Sequence, residues 1–276
     1  MIKNMVRNNL LIRLGTALVA IPIVVGIFFI NEKFVYLFLF FIGLGAAKEL
    51  SQMSLCKKFQ CYLRYVFVPI FLPILVVILW INVSNSLEIV MALLTVITVL
   101  IISIIFLPGE KFLPKSKKLV YIYTNFFGIS VAFIPLLMQL PDGIICLLFL
   151  LAVVWTSDSG AYFVGNFFGK KKLAPRISPS KTFEGAIGAL FFGFGMSLMF
   201  YKIFPLPLSL TQVIVLGIFI PIGAIFGDLF ESMLKRKSNV KDSGRLFPGH
   251  GGVLDRIDSL IPNFPLVYVI STGVIP

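Results

Sequence analysis

Apolar residues fill long, nearly unbroken stretches of this chain, at 14–30, 34–47, 65–81, 89–106, 122–140, 143–164, 183–201, 211–234 and 257–275. Most approach the roughly 20 residues an α-helix needs to cross a bilayer core, so the pattern predicts nine helices. The run at 34–47 is the least complete: it is short and closes on Lys48-Glu49. Such a helix tilts little, lets its lysine snorkel or continues along the interface. The run at 14–30 follows Lys3, Arg7 and Arg13 as a secretory leader would, yet Ile30-Asn31-Glu32 offers no small-residue cleavage site. It reads as a retained signal anchor.

Composition agrees with this pattern. A chain of 276 residues that is 58% hydrophobic and only 13% charged lies outside the range of soluble domains. The predicted fold class is an all-α, polytopic transmembrane protein of about nine helices. Its formal charge of +12 does not call for nucleic acid, because the basic residues occupy short loops between apolar runs. Assigning the loops alternately to two sides puts all but Lys33 and Lys202 of the 24 lysines and arginines on one side. The positive-inside rule then predicts a cytoplasmic N-terminus and an outside C-terminus, in the cytoplasmic (inner) membrane of a cell. Cys56, Cys61 and Cys146 form no CxxC pair and read as reduced thiols.

The two halves differ in where their polar residues fall. Up to Leu140 few sit inside an apolar run, whereas seven of the 12 acidic residues lie at or after Asp158. We therefore divide the chain into N-terminal helices, 1–140, and a catalytic region with cytosolic loops, 141–276.

Three polar stations stand out in the second region. The first is Asp158, in Trp155-Thr-Ser-Asp-Ser-Gly-Ala-Tyr162, near the end of the sixth run. An acid at that depth marks a functional site, or else it accepts bonds from neighbouring hydroxyls in helix packing. Beyond it, Lys170-Lys171-Lys172 serves as a topology signal or a contact to anionic lipid. Ser178-Pro-Ser-Lys181-Thr182 precedes the seventh run as a helix cap would, and its amides with Lys181 suit a phosphate. The second station closes the eighth run. Asp228, Glu231, Ser232 and Lys235 fall at i, i+3, i+4 and i+7 and so share one helical face. Glu231 with Lys235 reads as a local ion pair, while Asp228 has no obvious partner in its own helix and reads as a ligand.

The third station runs from Asp242-Ser-Gly-Arg245 through His250-Gly251-Gly252 to Asp255-Arg256-Ile-Asp258. Its glycines permit close approach of main chain to a ligand. Asp255 and Asp258 open the final predicted helix, where an acid also suits the helix dipole. Hard oxygen ligands favour magnesium, which commonly uses one or two protein carboxylates and completes its shell with water and phosphate. One histidine without a nearby cysteine does not make a usual zinc site. Carboxylates, cations and a glycine-rich loop at one membrane face suggest phosphoryl or nucleotidyl transfer to a lipid.

These residues follow a known signature. Ser232-Met-Leu-Lys235-Arg236, Lys241-Asp242-Ser-Gly244, His250-Gly-Gly252 and Asp255-Arg256-Ile-Asp258 resemble the phosphatidate cytidylyltransferases, also called CDP-diacylglycerol synthases. The resemblance covers about Trp155 to Leu260; the N-terminal helices match only in being apolar. It implies transfer of CMP from CTP to phosphatidic acid at the cytosolic face, releasing pyrophosphate. It implies magnesium, and a second cation, held by Asp228 and Asp255. Asp258, Lys241 and Asp242 join these two as catalytic candidates, with Asp158 in a substrate-orienting role. Ser178, Lys181, Ser232, Lys235, Arg236, Arg245, His250, Gly251, Gly252 and Arg256 are candidates for substrate contact. The expected partners are CTP, phosphatidic acid and membrane lipid, and the N-terminal helices would serve lipid access, packing or a homodimer contact. An ion-coupled transporter is the rival of another class, but the polar residues cluster at one face and no inverted repeat is visible. Asp255-Arg256-Ile-Asp258 also departs from the DGxxAR core of enzymes that transfer a phospho-alcohol.

Overall fold

A computed structural model describes residues 22–54, 66–81, 115–244, 246 and 251–273. The expected helix at 89–106 lies outside them. Helix 22–30 stops at Asn31, whose side chain accepts a bond from the Lys33 amide at 3.0 Å, a capping geometry. Helix α1 then spans Glu32–Ser54 and α2 spans Val68–Ile81. Next come α3, Lys115–Gln139, and α4, Gly143–Phe168. A hairpin of β1, Lys172–Ala174, and β2, Ser178–Thr182, leads to α5, Phe183–Ile203, and α6, Leu210–Lys237. The single turn α7, Leu254–Ile257, and the short helix α8, Asn263–Ser271, complete the described chain.

Helices α1, α4, α5, α6 and the 118–139 part of α3 are long and apolar enough to cross a membrane. Their packing uses small residues, which let backbones approach where no water drives association. A side chain at Gly160 would strike Phe192, and one at Gly188 would strike Val164. Between α5 and α6, Gly193 makes room for Pro221 and Gly217 for Ser197. The buried centre includes Phe127, Leu137, Phe149, Leu150, Leu216 and Ile220. Outward, α4 and α5 present Phe167 at 77% and Phe191 at 75% exposure, an outer surface suited to lipid rather than water.

Two sequence expectations need correction. The run at 34–47 does not end at Lys48-Glu49; α1 has 23 residues and continues to Ser54. Glu49 is buried, and bonds to its carboxylate offset the cost of placing it there. The run at 257–275 is not one helix. Pro262 has no N–H to bond the Asp258 carbonyl four residues back, and the chain turns before α8, which has nine residues. That carbonyl packs against Gly227 of α6, where any side chain would collide with it. Asp255 therefore sits within α7 and Asp258 at its C-terminal boundary, neither of them on a long final helix.

Candidate active site

The site forms where the C-terminal part of α4, the start of α5 and the C-terminal part of α6 come together. Thr182 caps α5, its hydroxyl accepting from the Gly185 amide at 3.1 Å, as the hydroxyl-rich segment suggested. The residues before the cap form a strand that pairs Lys172 with Thr182 and Ala174 with Ser178. Glu184 anchors the base of this hairpin by accepting from the Lys170 amide at 3.0 Å and the Lys171 amide at 3.2 Å. Arg236 holds its tip, donating from Nε to the Ile177 carbonyl at 3.2 Å. A second bond runs from its guanidinium to the Val240 carbonyl at 3.3 Å, so Arg236 ties backbone segments together.

A cavity of about 410 Å³ lies beneath the hairpin, within the size range of small-ligand sites. Asp158, Asp228, Asp255 and Asp258 all line it, with Lys181, Ser180, Tyr162 and Asn166. The structure thus brings together acids from all three stations. Lys181 Nζ lies 2.7 Å from Asp228 Oδ2. Asp228 Oδ1 accepts from the Ser232 hydroxyl at 3.1 Å, so the partner that the sequence failed to suggest lies one turn along the same helix. At 35% side-chain exposure Asp228 is the more open acid of the two expected metal ligands, against 8% for Asp255.

Asp255 is held on both oxygens. Oδ1 accepts from Lys235 Nζ at 2.6 Å. Oδ2 accepts from the Ser243 amide at 2.9 Å, the Ser243 hydroxyl at 2.8 Å and the Gly252 amide at 2.8 Å. Burial acts to raise its pKa, but the Gly252 amide, the Lys235 ammonium and the Ser243 hydroxyl outweigh it and hold the carboxyl below the usual range. Asp258 goes the other way: burial, then the charge of Asp228, push it up to about 6. Its Oδ1 accepts from the Ser259 amide at 2.8 Å.

Lys235 also lies 3.4 Å from Glu231, as the helical spacing predicted. Glu231 is completely buried and both its oxygens lack a hydrogen bond. Ser178 is buried beside Ser180, 3.5 Å between hydroxyls, and Lys241, Asp242 and Arg256 are exposed. Ser178, Lys241, Asp242 and Arg256 do not line the cavity. Arg245 and His250 lie outside the described residues. Gly251 adopts φ +80°, which favours glycine. A side chain there would strike Asp255, and one at Gly252 would strike Ser243 and Glu49. The glycines thus make room for the protein's own carboxylates, a use that the expected ligand approach did not include.

Glu49 is what the sequence reading missed. Its Oε2 accepts from the Ser243 hydroxyl at 2.8 Å and the Leu254 amide at 3.0 Å, and its Oε1 from the Val253 amide at 2.7 Å. A signal was present: an acid continuing an apolar run, the same feature that drew attention to Asp158.

The cavity's donor set suits a hard cation. Four carboxylates line it against one lysine. Among the described residues no three His, Cys, Asp or Glu side chains gather closely enough to hold a metal ion unaided. Magnesium does not require such a cluster when phosphates complete its shell.

The cavity is thus an acid-lined one, with Lys181 in its wall, at one end of helices long and apolar enough to cross a membrane. The sequence profile of the Cytidylyltransferase family matches residues 11–273, and the chain belongs to that family. It is 32% identical over 263 residues to a phosphatidate cytidylyltransferase of Staphylococcus haemolyticus, covering 94% of this chain and 98% of the relative. To the protein of that name from Haemophilus influenzae it is 47% identical over 133 residues, 46% of each chain. To that of Bacillus subtilis it is 42% identical over 126 residues, 46% of this chain and 47% of the other. The last two alignments span about half the length of those relatives. The profile and the Staphylococcus relative carry the likeness well beyond Trp155 to Leu260, into the helices that the signature did not reach.

Proposed function

We propose that this chain transfers CMP from CTP to phosphatidate, forming CDP-diacylglycerol and pyrophosphate. One observation carries the reading: Asp158, Asp228, Asp255, Asp258 and Lys181 line a single cavity at one end of the apolar helices. Family membership and the names of the relatives agree with it.

A phosphatidate oxygen is already anionic, so attack on the α-phosphorus of CTP needs no strong general base. One P–O bond forms to phosphatidate as the bond to the β-phosphate oxygen breaks, its electron pair leaving with pyrophosphate. The difficulty is bringing two polyanions together in line. Lys181 lies where it can exchange Asp228 for a phosphate oxygen. Asp228 and Asp255 are the residues that would hold magnesium, and Lys235 steadies Asp255. Bound there, magnesium would screen the phosphates and stabilise charge on the departing pyrophosphate. Asp158 and Asp258 orient groups around these two, and a second cation belongs to the same acid-rich wall. In this reading Lys241 and Arg256 contact substrate phosphates from the exposed loop side, and Asp242 orients groups there.

The charge asymmetry of the loops supports an inner-membrane protein with its N-terminus and this cavity toward the cytosol. An outside C-terminus belongs to the same reading and rests on a ninth crossing by the 257–275 stretch, of which α8 makes up nine residues. Acyl chains would remain in the bilayer against the apolar outer face, and a homodimer contact by the N-terminal helices belongs to the same proposal. Protein purified in detergent, given magnesium, labelled CTP and phosphatidate, is expected to release labelled CDP-diacylglycerol. No product under varied lipid and metal conditions would sink the assignment.

A further inference from the structure

Glu49 lies 204 and 205 positions from the amides of Val253 and Leu254 that it accepts. Nothing in the signature involves it, and it does not line the cavity. Both sides of the contact are nevertheless cut away to admit it. Gly45, one turn before Glu49 on the same face of α1, leaves space for Val253: a side chain there would approach its Cγ2 to 2.6 Å. Gly244 faces Glu49 Oε1 in the same manner, at 2.6 Å. Gly252 would clash with Glu49 if it carried a side chain.

Glu49 and Asp255 divide the donors of one loop between them. Glu49 takes the amides of Val253 and Leu254, and Asp255 takes those of Ser243 and Gly252. Both carboxylates lie 2.8 Å from the Ser243 hydroxyl. A hydroxyl carries one proton, so Ser243 joins the two acids while donating to one at a time. The backbone bearing Asp255 is thereby fixed from below by a residue of the first described long helix.

We propose that Glu49 is a positioning residue for the site. It holds Ser243, Val253 and Leu254 so that Asp255 faces the cavity, and it does so without touching substrate. The kinetic part of this inference rests on the transfer reading above; the structural part does not. Glu49→Gln keeps the shape of the side chain but turns an amide NH2 toward backbone donors. In the full chain in detergent, peptides across 243–254 are expected to exchange amide hydrogen at least about 10-fold faster, with α3 and α6 unchanged. With magnesium, CTP and phosphatidate, kcat is expected to fall about 10- to 100-fold, and KM for CTP to stay within about 2-fold. Parent-like exchange across the loop overturns the proposal, and so does faster loop exchange with unchanged kcat. A rise spread over all helices also overturns it, because it marks general loss of stability. Should Glu49→Gln not fold, Ser243→Ala gives the same two readouts with the same criteria. A parent protein that makes no CDP-diacylglycerol would refute the transfer reading, while exchange across 243–254 would still decide the role of Glu49.

Discussion

Helix α3 and the segment from Ser243 to Ser259 both bury polar side chains, and they satisfy them in opposite ways. In α3 the Thr124 hydroxyl donates to Val120 at 2.7 Å and the Asn125 amide to Tyr121 at 2.8 Å, each within one turn of its own helix. The hydroxyls of Tyr123 and Ser130 find no hydrogen bond. In the later segment Ser243, Gly252, Val253 and Leu254 donate hydrogen bonds to carboxylates, three of them to Glu49 across most of the chain. A helix that bonds Thr124 and Asn125 within its own turns, and leaves two hydroxyls without a bond, packs by shape. A loop that draws its order from distant acids is built to hold those acids in place, which is what a site requires.

The largest expected effect tests the site side of this contrast. Asp228→Ala removes the most open carboxylate of the pair and leaves Lys181 without its partner. Transfer should fall by about 100- to 1,000-fold, with the melting curve of the detergent-solubilised protein little changed. Parent-like turnover would remove Asp228 from the proposed metal site without touching the family assignment.

Gly128→Val tests the packing side. A side chain at 128 would collide with the Pro69 carbonyl of α2, and backbone cannot move aside as a flexible side chain can. The expected loss is about 1–3 kcal/mol of stability, read as a lower melting temperature, with transfer per folded molecule unchanged. Equal loss of turnover in the folded fraction would show that α2 and α3 do more than support the site.

The smallest effect belongs to Thr124→Val. It deletes a hydroxyl bond, but the Val120 carbonyl keeps its place in the helix ladder. Thermal unfolding should register a change of about 1 kcal/mol or less. A larger loss would mean that α3 depends on its polar groups much as the loop does.

Much of this arrangement could be read from the order of residues. Apolar run length locates α2, α4, α5 and α6, and helical spacing aligns Asp228, Glu231, Ser232 and Lys235. The motif glycines and acids mark the loop. The misses have physical causes. Hydropathy treats Glu49 as the end of a helix, because it cannot know that three donors from a distant loop will meet that carboxylate. It joins 257–275 into one span because the apolar residues around Pro262 outweigh one missing amide in any average. The hairpin at 172–182 is too short and too polar to leave a strand signal. No local pattern states that Arg236 is occupied by the Ile177 and Val240 carbonyls; such pairings exist only once the chain has folded.

The bond between Glu49 and Leu254 also constrains how the protein is made. Among the described residues all five candidate spans are complete by Lys237, before the ribosome has released Val253 and Leu254, whose amides Glu49 receives. Up to that point a nascent chain has its membrane-embedded body and a cavity lacking Asp255 and Asp258. Closing a contact across 205 positions is slow and comes after local structure has formed. A chain that stops shortly after α6 would lack Asp255 and Asp258, two of the four carboxylates that line the cavity.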